Sequence, residues 1–364
     1  MLHFLYRNVY RVFFNSLNPG NAFKGLTRRA FFSILNLKSK YIKIHITDSC
    51  NLQCKNCYCQ LNSGFSLDKK IIFDLLGQIK HRNSSLHILG GEPLLAADIL
   101  EIISYAKRRM REVILFTNGT LINDGLADKM KEAGLDAAIV TLHCDNEGMH
   151  DSITQSNGSW LKAIAGIKAL VKSGVAAYSF TVLTSRNVGQ LREIERLIKS
   201  LGAKTMYFPY VRQLVDDALY IKDKEVSRQA IGWIFNKSNE HKRDLLRILY
   251  IRGKVCPAFV STISIKADGT VTPCPFIDLK LGNIKEDNLL RILYNSWDNQ
   301  ELLDFLSVPA KCNGCTLVDY CGGGCKAFRY NAYRDTKSCD CNCRGPYKTK
   351  ISLEDLGSHM PYLF

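Results

Sequence analysis

The chain has 364 residues with 46% hydrophobic content, enough for a sizeable core plus a second module and ordinary for a soluble globular protein. Its 14 cysteines would argue for disulfides in a small secreted chain. This chain is large, clusters them at metal-ligand spacings and has no charged segment leading into a continuous apolar run, so a reduced cytoplasm is expected. No apolar run approaches the roughly 18 to 20 residues that span a bilayer, and no membrane-crossing helix is expected.

The formal net charge of +15 is uneven. Residues 1–40 hold Arg7, Arg11, Lys24, Arg28, Arg29, Lys38 and Lys40 and no acid. Within that extension Leu2, Leu5, Tyr6, Val9, Val12 and Phe13 recur at helical spacing, with Arg7 and Arg11 off the stripe. Two readings stay open: a basic helix lying on an anionic surface, which would make the protein peripheral at a membrane, or a helix packed across the next domain. The charge also suits nucleic acid, but no nucleic-acid motif accompanies it, and nucleic acid is not an expected partner.

From 41 to 215, β-rich runs alternate with helical runs in the order of parallel strands joined by crossover helices. Strands are predicted over 41–47, 86–89, 113–117, 137–142, 177–183 and 204–209. Between them lie amphipathic stretches such as 66–80, with Ser66 as N-cap, and 160–172, which ends before Gly174. The pattern predicts an α/β fold, a partial (β/α)6 version of the eightfold TIM-like barrel, with ligands at the carboxyl ends of the strands. Residues 216–255 read as a charged helical connector whose Asp216, Asp217, Lys222 and Lys224 form a solvated face. At Cys256 the composition changes. Cysteines and glycines punctuate 256–345, a small module expected to be held by metal rather than by a large core, and 346–364 form a tail.

The motifs fall at the strand ends. After the first strand, Cys50, Cys54 and Cys57 stand at spacing x3 and x2. Such thiolates fill only three sites of a four-iron cluster and leave one iron open to chelate the amino and carboxylate groups of S-adenosylmethionine (SAM). The competing reading is a zinc knuckle, although zinc sites usually offer four ligands in paired arms. Gly90-Gly91-Glu92-Pro93 follows the second strand, where glycines let the backbone approach a small ligand. Thr117-Asn118-Gly119 closes the third strand, Thr141-Leu142-His143 closes the fourth, and His150-Asp151 comes next. For Asn118 and His150 a plain loop hydrogen bond is the alternative.

This arrangement resembles the radical SAM superfamily. The resemblance implies a 4Fe-4S cluster on Cys50, Cys54 and Cys57, the SAM amino group met at Gly90, Gly91 and Glu92, and polar contacts to ribose or carboxylate from Asn118, Thr141 and His143. Two departures stand out. Relatives carry an aromatic residue just before the third cysteine, near the adenine, where this chain has Asn56. They also carry an arginine three residues after the HD aspartate, where it has Thr154, so another cation must meet the SAM carboxylate or none does.

The module from Cys256 resembles the SPASM domain, through Cys256, the Gly269 to Cys274 element, Cys312, Cys315, Cys321 and Cys325 at CxxCx5Cx3C spacing, and a final cysteine among Cys339, Cys341 and Cys343. The resemblance implies two auxiliary iron-sulfur clusters. Cys256, Cys274 and Cys325 would hold the first, one thiolate short. Cys312, Cys315, Cys321 and a last ligand, for which the gap length favours Cys343, would hold the second. A double zinc ribbon is the alternative.

Together these resemblances imply an oxidoreductase-type enzyme in which a cluster reduced by a flavodoxin- or ferredoxin-type donor cleaves SAM to a 5′-deoxyadenosyl radical that takes a hydrogen atom from substrate. Auxiliary clusters favour oxidation or crosslinking. Peptides are the commonest substrates of SPASM relatives, so modification of a ribosomal peptide or protein side chain is the leading expectation. A leader-binding winged-helix domain needs on the order of 80 residues, more than precede the first strand, which weakens it. The alternatives are oxidation or epimerisation of a sugar, alcohol or lipid-linked glycan, and a non-catalytic iron-sulfur carrier or scaffold. Cys144, just past the fourth strand, is a candidate hydrogen-atom donor for epimerisation, against an inert buried thiol. Cys59 is expected to point away from the cluster.

Overall fold

The computed structural model describes residues 41–59, 61–79, 84–208, 262–316 and 323–333, with isolated residues between, among them Leu219, Cys256, Ala258 and Phe259. The basic stretch 1–40, most of the 216–255 connector, Cys321, Cys339, Cys341, Cys343 and nearly all of the tail lie outside the described residues.

The predicted strands all form, as β1 (Tyr41–His45), β2 (Ser85–Leu89), β3 (Glu112–Thr117), β4 (Ala137–Thr141), β5 (Ala176–Val182) and β6 (Lys204–Phe208). Each pairs in parallel with its chain neighbour. The crossovers are α1 (Lys69–Gly77), α2 (Ile99–Lys107), α3 (Asp124–Glu132), α4 (Glu147–Thr154), α5 (Ser159–Lys172) and α6 (Leu191–Ser200). Parallel strands require such crossovers, and the helices cover one face of the sheet. On that face Ile42, Ile44, Leu86, Ile88, Leu115 and Val140 join the helices in a continuous apolar core. Residues of opposite parity, such as Ile114, Ile139 and Met206, form a separate cluster on the inner face.

Two expectations are corrected. Ser66 does not cap α1. It bridges Thr47 across the loop that follows β1, and its hydroxyl donates to Ile46 O at 3.2 Å. Asp68 is the cap, accepting from Lys70 N at 2.7 Å, because a carboxylate one residue before the helix reaches its free N–H groups. The cysteine-rich module is also not held by metal alone. Its first strand β7 (Thr262–Ile265) pairs in parallel with β1, and β8 (Thr270–Thr272) and β9 (Gly282–Asn283) extend the same sheet, giving the order β6-β5-β4-β3-β2-β1-β7-β8-β9. Ile263, Ile265 and Val271, with Leu289, Leu293, Leu302 and Phe305 of α7 (Leu289–Asn295) and α8 (Gln300–Leu306), belong to the barrel's own core. α9 (Lys326–Tyr333) packs on α8, and its buried Lys326 and Arg329 donate to the carbonyls of Phe305, Leu306 and Ser307 at the end of that helix. Among the described residues no helix is long and apolar enough to cross a membrane.

Asp151, the acidic half of the HD pair, works as an anchor for α5: its carboxylate accepts from Gly158 N, Ser159 Oγ at 2.7 Å and Trp160 N at 2.9 Å. Asp151→Ala removes the acceptor that these three donors share, leaving the buried Ser159 hydroxyl only Thr154 Oγ1. It is expected to lower stability by about 2 kcal/mol or more, measured by urea unfolding.

Candidate active site

The loop after β1 is closed at its base before it reaches its cysteines. Asp48 N donates to Phe65 O and Leu67 N to Ile46 O, while Asp48 Oδ2 accepts from Ser63 N and Phe65 N. Asn62 Oδ1 accepts from Cys50 N at 3.0 Å. Two further elements clamp the loop from the sides. Gln53 N and Lys55 N donate to the Thr154 and Ile153 carbonyls at the carboxyl end of α4, and Gln155 Nε2 donates to Gln53 O at 2.6 Å. On the other side Asn118 Nδ2 donates to Asn51 Oδ1 at 2.8 Å, and Asn51 Nδ2 to Thr120 Oγ1 at 2.9 Å.

Cys50, Cys54 and Cys57, all half-buried, converge inside this clamp. Burial pushes Cys50 upward, with the charges of Glu92 and Cys57 adding to it, and pushes Cys54 up to about 12, with Cys57 and Cys50 adding to it. Thiols that repel one another's ionisation in this way are held at close quarters. Cys57 is instead held down at about 7 by the hydrogen bond of the Cys59 thiol, which is itself pushed well up. Cys59 therefore does not point away, as expected from its position. Its sulfur faces Cys57 and lies 3.9 Å from both His45 Nδ1 and Gly90 O.

Gly90 and Gly91 serve the loop first. Gly91 N donates to Thr47 O at 2.8 Å and Glu92 N to Ser49 O at 2.7 Å. A Cβ at Gly91 would lie 2.3 Å from Ser49 O and 2.6 Å from Asp48 O, so only glycine lets the two backbones meet. Glu92 is fully buried and its carboxylate binds Thr117 Oγ1, Asn118 N and Leu94 N. Burial raises its pKa against those hydrogen bonds. The second-strand and third-strand motifs are thus joined through one carboxylate, and Asn118 Oδ1 is taken by Thr120.

At the end of β4, Thr141 is half-buried and His143 is 1% exposed. His143 N donates to His150 Nδ1 at 3.2 Å and its carbonyl accepts from Asn187 Nδ2 at 2.8 Å, but among the described residues neither ring nitrogen has a partner. Burial, with the charge of His150, drops His143 to about 3, so the ring is neutral and ready to bond a ligand. Cys144 is fully buried, and burial pushes its thiol up to about 12. Thr154, in the position of the missing arginine, is buried and bonded to Asp151 O and Ser159 Oγ. Arg186, after β5, reaches the same helix through Ser152 Oγ at 3.2 Å and brings an exposed cation beside Cys144.

In the cysteine-rich module, Cys256, Cys274 and Cys325 are half-buried against the common core, while Cys312 is buried outside it and Cys315 N donates to Cys312 O. Asn51, Asn62, Thr120 and Arg186 were not foreseen. Their only sequence signal was a polar residue in a loop, which fits many turns.

The chain matches the Radical SAM superfamily over residues 44–223 and the SPASM iron-sulfur cluster-binding domain over residues 256–316. It belongs to the radical SAM superfamily and is an enzyme with a SPASM domain. It is 24% identical over 332 residues to the AdoMet-dependent heme synthase of Nitratidesulfovibrio vulgaris, covering 81% of this chain and 89% of that one. It is 27% identical over 320 residues to the antilisterial bacteriocin subtilosin biosynthesis protein AlbA of Bacillus subtilis, covering 81% and 69%. Among solved structures it resembles Streptococcus suis SuiB bound to precursor peptide SuiA, with a TM-score of 0.67, 17% identity and coverage of 94% and 87%.

Membership brings a 4Fe-4S cluster and SAM, and the SPASM domain brings auxiliary iron-sulfur clusters. The residues fit. The three thiols of one clamped loop, one of them receiving Leu52 N at 3.4 Å on Cys50 Sγ, suit the wider grip of a multi-iron cluster.

Gly91→Ala should displace the clamped loop. Since a shift of about 1 Å at a reacting centre costs on the order of a hundredfold in rate, 5′-deoxyadenosine formation should fall by at least that much, read by chromatography. His143 gives a pH signature. Its folded pKa of about 3 lies below the ordinary histidine value of 6.5, so its contribution is present above that value and is lost as pH falls from 6.5 toward 3. Without SAM, His143→Leu should flatten the stability-versus-pH slope in that window by about 1.4 kcal/mol per pH unit, by urea unfolding at stepped pH.

Proposed function

We propose that this enzyme modifies a side chain of a ribosomally made peptide or protein, by oxidation or crosslinking, with Cys50, Cys54 and Cys57 as the cluster ligands. The observation that carries the reading is the clamped loop of converging thiols at the end of β1, the strand that also pairs with β7 of the cysteine-rich module. When bound, the reduced cluster and SAM supply a carbon radical able to take a hydrogen atom from an unactivated C–H bond. The chain's own residues bind and orient. Glu92, Thr117 and Asn118 keep the two loops in register, and the neutral His143 ring offers one hydrogen bond to SAM. Arg186 supplies the cation that Thr154 does not, toward the SAM carboxylate. Cys256, Cys274, Cys312, Cys315, Cys321, Cys325 and Cys343 would hold the auxiliary clusters, whose redox chemistry suits removal of an electron from a substrate radical.

The peptide reading is supported by the likeness to AlbA, a bacteriocin biosynthesis protein. A second reading, a haem precursor as substrate, is favoured by the relative named as a heme synthase, which covers as much of this chain. Changing Cys50, Cys54 and Cys57 together to Ala is expected to remove about four irons per chain and bring 5′-deoxyadenosine to background while the auxiliary iron remains. Survival of cleavage in that variant would sink the assignment. Coupled turnover with candidate precursor peptides or with a porphyrin then separates the two substrates.

A further inference from the structure

Three side chains from two loops close a ring of hydrogen bonds beside the cysteines. Asn118 Nδ2 donates to Asn51 Oδ1 at 2.8 Å, Asn51 Nδ2 to Thr120 Oγ1 at 2.9 Å, and Thr120 Oγ1 to Asn118 Oδ1 at 2.7 Å. Every member both gives and accepts, so each bond polarises the next. The ring requires the chain to turn back on itself between Asn118 and Thr120. Gly119 makes that turn, with a φ of +77° and with Val140 Cγ1 only 2.6 Å from where a Cβ would lie. Asn118 N donates to Glu92 Oε2 at 2.7 Å, so the residue is held by its backbone as well as by its side chain.

The ring also fixes which way the Asn118 amide faces. Thr120 N, which can only donate, lies 2.9 Å from Asn118 Oδ1, so the oxygen is turned to Thr120 and the nitrogen away from it. A carboxamide offers two lone pairs on oxygen and two N–H groups. Thr120 N and Thr120 Oγ1 fill the lone pairs, and Asn51 takes one N–H. Among the described residues the remaining N–H has one partner, the Cys50 thiol, to which the Asn118 side chain is hydrogen-bonded. Cys50 Sγ also receives Leu52 N at 3.4 Å, so two donors meet on one sulfur. The amide stands where it is needed electrostatically. The charge of the buried Glu92 opposes negative charge on Cys50, and Asn118 touches both groups. Hydrogen bonds to the sulfurs help set the potential of an iron-sulfur cluster, because a donor stabilises the negative charge that an added electron brings.

We propose that Asn118 is a positioning residue that aims its remaining amide N–H at Cys50 Sγ and so makes the catalytic cluster easier to reduce, with Asn51 and Thr120 holding the amide in that orientation. The proposal rests on Cys50, Cys54 and Cys57 as the cluster ligands and does not depend on the substrate.

The test uses the reconstituted enzyme without SAM. The catalytic-cluster signal is the part of the reduced EPR spectrum that the Cys50, Cys54 and Cys57 triple Ala variant lacks. With asparagine whose side-chain nitrogen is isotopically labelled, electron-nuclear double resonance of the unaltered enzyme is expected to show a labelled nitrogen coupled to that cluster, together with a proton that exchanges in deuterated water. Both couplings should vanish in Asn118→Ala and persist in Asn56→Ala, which removes the labelled amide next to Cys57. At a poise that half-reduces the unaltered cluster, the ratio of reduced to oxidised cluster should fall about tenfold in Asn118→Ala, a shift of about 59 mV for one electron. Thr120→Val, which keeps the donor and loosens the ring, should give a smaller shift in the same direction. A missing nitrogen coupling in the unaltered enzyme, or a coupling that disappears with Asn56 instead, would overturn the proposal even if Asn118→Ala failed to load iron. So would an iron-loaded Asn118→Ala enzyme of unchanged potential. A triple Ala variant that kept the whole spectrum would overturn the cluster assignment instead.

Discussion

Two backbone hydrogen bonds, from Gly91 N to Thr47 O and from Glu92 N to Ser49 O, are the constraint on which the site depends. They join the loop after β2 to the start of the cysteine loop at a distance no side chain permits, since a Cβ at residue 91 would clash with Ser49 O and Asp48 O. Backbone bonds of this kind are stiffer than side-chain contacts because no rotamer can relax them. The Glu92 carboxylate passes the constraint on to Thr117 and Asn118, and Asn118 returns it to Asn51 in the cysteine loop. The loop is fixed by a closed circuit through three strands, and α4 seals its outer side through the carbonyls of Ile153 and Thr154.

The second organising element is β1 itself. It pairs with β2 on one side and β7 on the other, so the strand that ends in the three-thiol loop is also the strand that receives the cysteine-rich module. The two regions share one apolar core, and Tyr58 touches Phe276 two residues from Cys274. A module attached only by metal would tumble on its linker. Sharing a sheet fixes its distance and orientation relative to the cysteine loop.

Buried neutral histidines recur where ligands are expected. His45, His87, His143 and His150 all have pKa values pulled down chiefly by burial. Keeping an imidazole uncharged in a dry site costs desolvation but supplies a donor or acceptor that does not bring a counterion with it. Such rings offer oriented hydrogen bonds rather than charge, and the exposed Arg186 stands beside them, bonded to Ser152 Oγ.

The sequence by itself determined the class of chemistry and the barrel. Cysteine spacing is a covalent property of the chain, and the β-rich runs at 41–47, 86–89 and 113–117 already carried the period of buried parallel strands, so β1, β2 and β3 formed with ends shifted by no more than two residues. What the tertiary structure decided was everything set by approach in space. Ser66 read as a cap because hydroxyls cap helices, yet the loop closure with Thr47 claimed it and left Asp68 to the helix. Cys59 read as turned away because only two residues separate it from Cys57, but the loop folds back and aims both sulfurs at each other. The union of the module with β1 joins residues more than two hundred positions apart. Local periodicity carries no information at that range, and only the packing of the whole sheet brings them together.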